Sequence, residues 1–154
     1  MPNDAYTLDR AKPEDLDGIV ALENACFHPS IAFSRRQWRC FLANPLVTIP
    51  VVRYRGRVIA DALVLRRRTI SGVTGRIYTM AVTREHRGTG LGRMLLDDCL
   101  AALRAEGVTT VFLEVGVSNQ AAISLYESAG FVKTHRLRDY YAPGQDAWKM
   151  RLRA

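Results

Sequence analysis

Arg87-Gly88-Thr89-Gly90-Leu91-Gly92-Arg93 stands between a strand-like hydrophobic run and an amphipathic helical one. Glycines at 88, 90 and 92 remove side chains where an anion must approach the main chain, and the helix that follows aims its unpaired N-terminal N–H groups at the same place. The stretch is therefore expected to cradle a phosphorylated ligand. Spacing sorts the ways of doing so. A P-loop needs Gly, four residues, then Gly-Lys-Ser/Thr, and no such lysine is present. A dinucleotide fingerprint needs glycines at relative positions one, three and six, and counted from Gly88 the sixth is Arg93. Glu114 does end the next strand about where a ribose-binding carboxylate would sit, but the motif comes late rather than after the first strand. A third pattern, Arg/Gln-x-x-Gly-x-Gly/Ala, fits residues 87 to 92 at every position.

Working outward from that turn, Leu91, Leu95, Cys99, Ala102 and Leu103 make one helical stripe that Gly107 ends. Val111 to Val115 reads as a mostly apolar strand, the pattern of a sheet covered on both faces. Asn119 can cap a helix running to Ala129, with Gly130 after its end and Phe131 packing back. Upstream, Tyr6 to Asp9 alternates as a short strand, and Pro13, Glu14 and Asp15 suit a helix start. Leu16, Ile19, Val20 and Phe27 give that helix its buried face. Ser34 and Gln37 form a capping box for a second helix carrying Trp38, Phe41 and Leu42, which Pro45 closes. Runs 47 to 54 and 57 to 66 flank Arg55-Gly56 as a hairpin, a third run covers 76 to 82, and two final strands lie near 132 to 138 and 147 to 152. The order is β, two helices, three strands, helix, strand, helix, two strands.

The chain of 154 residues suits one domain, 1–154, with a single core and no linker. The opening Met1-Pro2-Asn3-Asp4 lacks a basic and apolar leader and no long apolar run follows, so a cytoplasmic location and no membrane partner are expected. Cys26, Cys40 and Cys99 are odd in number, widely spaced and each in a helical stretch, reading as buried small hydrophobes. His28, His86 and His135 have no metal-ligand spacing, and no metal is expected. The 22 basic and 15 acidic residues leave a net charge of +7, which favours anionic partners. Those residues are scattered, however, and the tightest group, Arg66-Arg67-Arg68, falls where two strands would turn, as a solvated hairpin end does. No helix-turn-helix, RNP or zinc pattern supports nucleic acid as a primary partner.

The turn resembles the acetyl-coenzyme A pyrophosphate signature of the GNAT acyltransferase superfamily. Leu113-Glu114-Val115, Ser118-Asn119, Ala122-Ile123, Leu125-Tyr126 and Gly130-Phe131 resemble its second signature block. Arg138-Asp139-Tyr140-Tyr141 and Asp146-Ala147 are similar to the tail of the bacterial ribosomal-protein N-terminal-alanine acetyltransferases. The resemblance implies an α/β (α+β) GNAT fold: a central mixed, mostly antiparallel sheet of six to seven strands, its fourth and fifth strands splayed, flanked by four helices. It implies acetyl-CoA as cofactor, held by Arg87, Gly88, Thr89, Gly90, Leu91, Gly92 and Arg93, by the backbone of Met80, Ala81 and Val82, and by Asn119 and Tyr126. Arg84 and His86 read as solvated loop residues.

The implied reaction is direct transfer of an acetyl group to a primary amine, in particular a protein or peptide N-terminal α-amine. Glu114 is the implied base and Tyr126 the implied acid for the departing thiolate; the alternative reading of Glu114 is as the ion-pair partner of an arginine. Phe33, Trp38, Tyr140 and Tyr141 are candidates for lining the acceptor site, although Trp38 has the spacing of a core residue. One departure stands out: where the N-terminal-alanine enzymes continue Glu-Val-Arg, this chain has Glu114-Val115-Gly116. Other readings are acetylation of a small-molecule amine or lysine side chain, and a non-catalytic acyl-CoA sensor. The chain is expected to be a monomer or homodimer.

Overall fold

The computed structural model describes residues 5–153, so the opening Met1-Pro2-Asn3-Asp4 lies outside the described residues. Strands are β1 (Tyr6–Arg10), β2 (Val47–Thr48), β3 (Pro50–Tyr54), β4 (Arg57–Thr69), β5 (Gly72–Val82), β6 (Val108–Gly116), β7 (Val132–Ala142) and β8 (Gln145–Arg153). Helices are α1 (Leu16–Cys26), α2 (Arg35–Ala43), α3 (Leu91–Ala105) and α4 (Gln120–Ser128). Hydrogen-bonded strand neighbours follow the order β1-β3-β4-β5-β6-β8-β7, with β2 on β4. The β1/β3, β3/β4, β6/β8 and β7/β8 pairs are antiparallel and β5/β6 is parallel, which is the mixed, mostly antiparallel sheet expected from the sequence. The strand count rises to eight because the run 47 to 54 breaks at Ile49 into β2 and β3.

Contacts divide the chain into two compact units, Met1–Val64 with Thr79–Cys99, and Leu65–Tyr78 with Leu100–Ala154. In the first, Leu16, Ile19, Trp38, Ile49, Val51 and Leu63 form one buried cluster, and Val52, Ile59, Ala60, Leu91 and Leu95 form another. Its helix starts follow the sequence. Asp15 accepts the Lys12 N–H at 2.7 Å ahead of α1, and Ser34 and Gln37 exchange capping bonds at 3.2 and 2.8 Å ahead of α2. Asp15 is also gripped by both terminal nitrogens of Arg53 at 2.7 and 2.8 Å, and this guanidinium holds its carboxyl below the usual range.

In the second unit, Val111, Leu113 and Val115 are buried along one face of β6, while Phe112, Glu114 and Gly116 on the other face are half-buried. This corrects the expectation of a strand covered on both faces: side chains alternate, and Glu114 rides on the more open side. Helix α4 ends in a Schellman motif, with Phe131 N–H on Tyr126 O at 3.1 Å and Gly130 N–H on Glu127 O at 3.0 Å. Strands β4 to β8 all run longer than the sequence pattern indicated. Arg66-Arg67-Arg68 belongs to the end of β4 rather than to a turn, and Arg66 pairs with Glu106 at 2.5 Å.

Parallel pairing of β5 with β6 starts at Val73 and Val108 and runs to Ile77 and Leu113. Close approach is built in there: a Cβ at Gly75 would stand 2.8 and 2.9 Å from the two Cδ atoms of buried Leu103. Gly75→Ala is expected to destabilise by about 1–3 kcal/mol through overpacking, measured by urea unfolding, and trimming Leu103 to Ala in that background is expected to cost less than it does alone. Equal stability of Gly75→Ala and the parent would contradict this packing.

Candidate functional site

The glycine turn leaves β5 through a single 3-10 turn at Arg84–His86 and enters α3 at Leu91. Gly88 and Gly90 have φ of 76° and 86°, the left-handed region that side chains disfavour, and a Cβ added at either would meet nothing within 4 Å. The first helical bond of α3 runs from Met94 N–H to Gly90 O at 3.0 Å, so the amides of residues 91 to 93 come before the i to i−4 ladder. An open surface, two left-handed glycines and a helix N-terminus together make a cradle that fits a phosphate group.

The flanking arginines do other work. Arg87 donates its Nε to Val82 O at 3.0 Å and reaches Cys26 Sγ at 3.6 Å, and Arg93 pairs with Asp97 at 3.0 Å one turn along the helix. The side chains of Arg87 and Arg93, expected beside the main-chain amides, thus also make these contacts of their own. Thr89 ties the turn together by donating to His86 O at 2.5 Å. His86 is not the solvated loop residue expected. Its Nδ1 bonds Tyr6 Oη at 2.7 Å, and its ring packs against Tyr6 and Tyr54. Met80 and Val82 pack on the second core cluster and Ala81 is buried; the carbonyl of Val82 already accepts from Arg87 and from Cys26.

A buried carboxyl pair lies in the same unit. Glu23 on α1 is 1% exposed and Asp61 on β4 is 0% exposed. Thr79 Oγ1, on the strand that leads to Met80, donates to Glu23 at 3.1 and 3.2 Å. Among the described residues no N–H or O–H group reaches either oxygen of Asp61. Its neighbour is the Glu23 carboxyl, and two carboxyls bond only by sharing a proton. Burial drives both groups above the usual carboxylate range, Asp61 the further of the two, with the charge of Glu23 adding to its shift. Cys26, close by, is also pushed up by burial. The sequence reading missed this pair although it left a signal. Glu23 sits four residues after Ile19 on the buried stripe of α1, and Asp61 interrupts the apolar run Val58-Ile59-Ala60 and Ala62-Leu63-Val64.

In the second unit, Glu114 is paired. Arg76 Nη1, on β5, lies 2.5 Å from Glu114 Oε1, the two side chains being 32% and 10% exposed. Of the two readings of Glu114, desolvated base or ion-pair partner, the structure contains the pair. The guanidinium also lies over the Tyr78 ring, 5.7 Å from its centroid. Around them stand Tyr140 and Tyr141, edge to face at 4.9 Å, with Tyr141 Oη donating to the main-chain oxygen of Glu114 at 3.4 Å. Burial raises both phenols, Tyr141 to about 12, and the Glu114 charge raises both further. These tyrosines owe their place to a bulge. The β7/β8 register breaks between Leu137 and Ala142, and Asp139 takes φ 50°. Its N–H bonds Asp146 at 2.9 Å and its carboxylate accepts Gly144 N–H at 2.6 Å.

Asn119 caps α4 by accepting Ala122 N–H at 3.2 Å, and Tyr126 is buried on that helix with its ring 5.8 Å from Phe131. Trp38 is 0% exposed and stacks edge-on with Phe33 and Phe41, so it is a core residue of the first unit and cannot line an acceptor site as the sequence reading entertained. Cys99 is buried, its thiol pushed up to about 12, whereas Cys40 is exposed, contrary to the expectation for all three cysteines. Among the described residues no group of three His, Cys, Asp or Glu side chains suits a metal, and no helix is long and apolar enough to cross a membrane.

The residue pattern of the Acetyltransferase (GNAT) family matches residues 15–131 of the chain. The chain belongs to the GNAT acetyltransferase family. Within GNAT proteins it is 45% identical over 69 residues to the [ribosomal protein bS18]-alanine N-acetyltransferase of Salmonella typhimurium, covering 45% of this chain and 47% of that one. It is 36% identical over 97 residues to N-alpha-acetyltransferase 30 of Schizosaccharomyces pombe, covering 63% of each. The chain thus spans about half to two thirds of the length of the curated relatives it matches. The crystal structure of the Escherichia coli ribosomal-protein-S18-alanine N-acetyltransferase superposes with a TM-score of 0.83 at 28% identity, covering 96% of this chain and 93% of that one. The NatC complex crystallised with Gag peptide and CoA gives 0.85 at 25% identity, covering 97% and 98%.

The GNAT fold of this chain carries its buried carboxyl pair at a cost that depends on pH. Because the folded state holds protons on Glu23 and Asp61 to higher pH than the unfolded chain does, the pair's own contribution to stability is fully present in acid and is lost as pH rises through the raised range, opposite in sign to that of Asp15, whose lowered carboxyl gives up its contribution as pH falls. Asp61→Asn is therefore expected to raise the thermal midpoint at pH 8 and to lose that advantage towards pH 4. A variant less stable than the parent at pH 8 would contradict the shared-proton account.

Proposed function

We propose that this protein is an acetyl-CoA-dependent N-acetyltransferase whose acceptor is the N-terminal α-amine of a protein or peptide. The observation that carries the reading is the presence in one GNAT chain of two elements, each within its own unit: the left-handed glycine turn at 88 to 90 and the carboxylate of Glu114 with two tyrosines around it. Kinship with N-terminal acetyltransferases on both the sequence and the fold side supports the choice of amine. Acetyl-CoA supplies a thioester-activated acetyl group; the amides of the turn are the groups that would hold its pyrophosphate.

The chain's own residues divide the remaining work. Glu114, paired with Arg76, accepts a proton from the acceptor amine, directly or through one water. Tyr126, shielded from solvent, gives a proton to the departing sulfur. Tyr140 and Tyr141 stay neutral at physiological pH and flank the acceptor as apolar, hydrogen-bonding walls. Acidity favours an α-amine over lysine: with pKa values near 7.7–8.0 and 10.4, freeing the lysine of its proton costs roughly 3.5 kcal/mol more at neutral pH.

A free-thiol assay with acetyl-CoA tests this against matched peptides, one with a free α-amine and blocked lysine, the other with the reverse. Thiol release is expected with the free α-amine alone. Release only with the lysine peptide would replace the acceptor assignment. Tyr126→Phe is expected to lower kcat by about 100-fold or more while changing acetyl-CoA affinity little. An unchanged kcat would remove the acid role from Tyr126.

A further inference from the structure

Glu114 is one member of a charge pair, and the cation beside it is not saturated. Arg76 uses Nη1 on Glu114 and lays its plane over Tyr78; among the described residues its Nε and Nη2 have no hydrogen-bond partner. The side chain keeps 32% of its surface open, whereas Glu114 keeps 10%. A guanidinium offers five N–H donors in a rigid fork and can serve two carboxylates at once, one on each edge. The residues around it leave that second edge free of competition. Tyr140 and Tyr141 are neutral phenols, Tyr141 donates its hydrogen bond to the main chain of Glu114, and Lys149, which faces Glu114 across the β6/β8 ladder, lies over the Phe112 ring.

We propose that Arg76 is a specificity-determining residue that selects acceptors with an acidic side chain at the second residue, next to the one that bears the free α-amine. The inference rests on the proposed role of Glu114 as the group that meets the amine. An ammonium on Glu114 and a carboxylate on Arg76 complete a square of alternating charges, so an acceptor holding both within its first two residues matches the pair better than a neutral one. A basic side chain in the same place faces the guanidinium and is disfavoured. Sharing Arg76 with the acceptor's carboxylate also loosens its hold on Oε1 of Glu114, the oxygen that must take the proton. Position matters as much as charge. Arg76 comes from β5, in register with Phe112, and stands beside Glu114, whereas position 116, two residues further along the same face of β6, is glycine with Tyr141 Cε2 only 3.9 Å from where its Cβ would be. The cation that reads the acceptor thus sits across the strand pair rather than downstream of the glutamate.

Peptides of equal length that differ only at the second residue, as Asp, Ala or Lys, provide the test, with kcat/KM read from thiol release at two salt concentrations. The parent protein is expected to prefer Asp over Ala by about tenfold and Ala over Lys, with the spread shrinking in high salt. Arg76→Gln is expected to level the series and Arg76→Glu to invert it. Equal rates for all three peptides with the parent protein, or an unaltered order in Arg76→Gln, would overturn the inference while leaving α-amine acetylation standing. If neither variant folds, the parent series and its salt dependence decide by themselves. No turnover of any peptide would instead count against the proposed function.

Discussion

Two left-handed glycines, Gly88 and Gly90, constrain everything the first unit can do. Between β5 and α3 the backbone takes φ near 80° at both positions, where a Cβ would meet only open space, just ahead of the amides that precede Met94. Side-chain contacts then secure the turn: Thr89 on His86 O, His86 in its tyrosine cluster, and Arg87 folded onto Val82 O and Cys26. The consequence is a turn held by side-chain bonds, whose main-chain amides are the groups proposed to meet the pyrophosphate.

The second unit solves a different problem. The carboxylate proposed as the base, Glu114, lies on the more open face of β6 and is paired there with Arg76. The β7 bulge at Asp139 adds two tyrosines that shield the pair while staying neutral. By contrast, the Glu23 and Asp61 pair is buried with Thr79 as its donor and, among the described residues, no cation on either carboxyl, so it holds a proton instead of a counter-ion. The same residue type thus plays opposite parts in the two units, decided by whether an arginine is within reach.

Much of this was legible in the residues. Caps at Ser34 and Asn119, the stripe of α3 and the glycine turn are local signals with local causes, and each was read where it lies. What sequence could not supply was pairing across strands. Nothing near Glu114 in the chain names Arg76, thirty-eight residues earlier, as its partner. The bulge that presents Tyr140 and Tyr141 depends on Asp139 taking φ 50°, a conformation held by Asp146 and Gly144. Trp38 carried an ambiguity that only packing resolves: the aromatic that might have lined a site is enclosed by Phe33, Phe41 and the first core cluster. The buried carboxyls were visible as polar interruptions of apolar patterns, a signal easily passed over because each is a single residue.

The central claim is that main-chain amides of the glycine turn hold the cofactor. Calorimetric titration of acetyl-CoA into the parent protein and into Gly88→Ala/Gly90→Ala tests it most directly. The account predicts binding to the parent and at least tenfold weaker binding to the double variant, with its circular dichroism unchanged, because strained left-handed alanines misplace the amides. Equal affinity of the two proteins, or no binding to the parent, would contradict it.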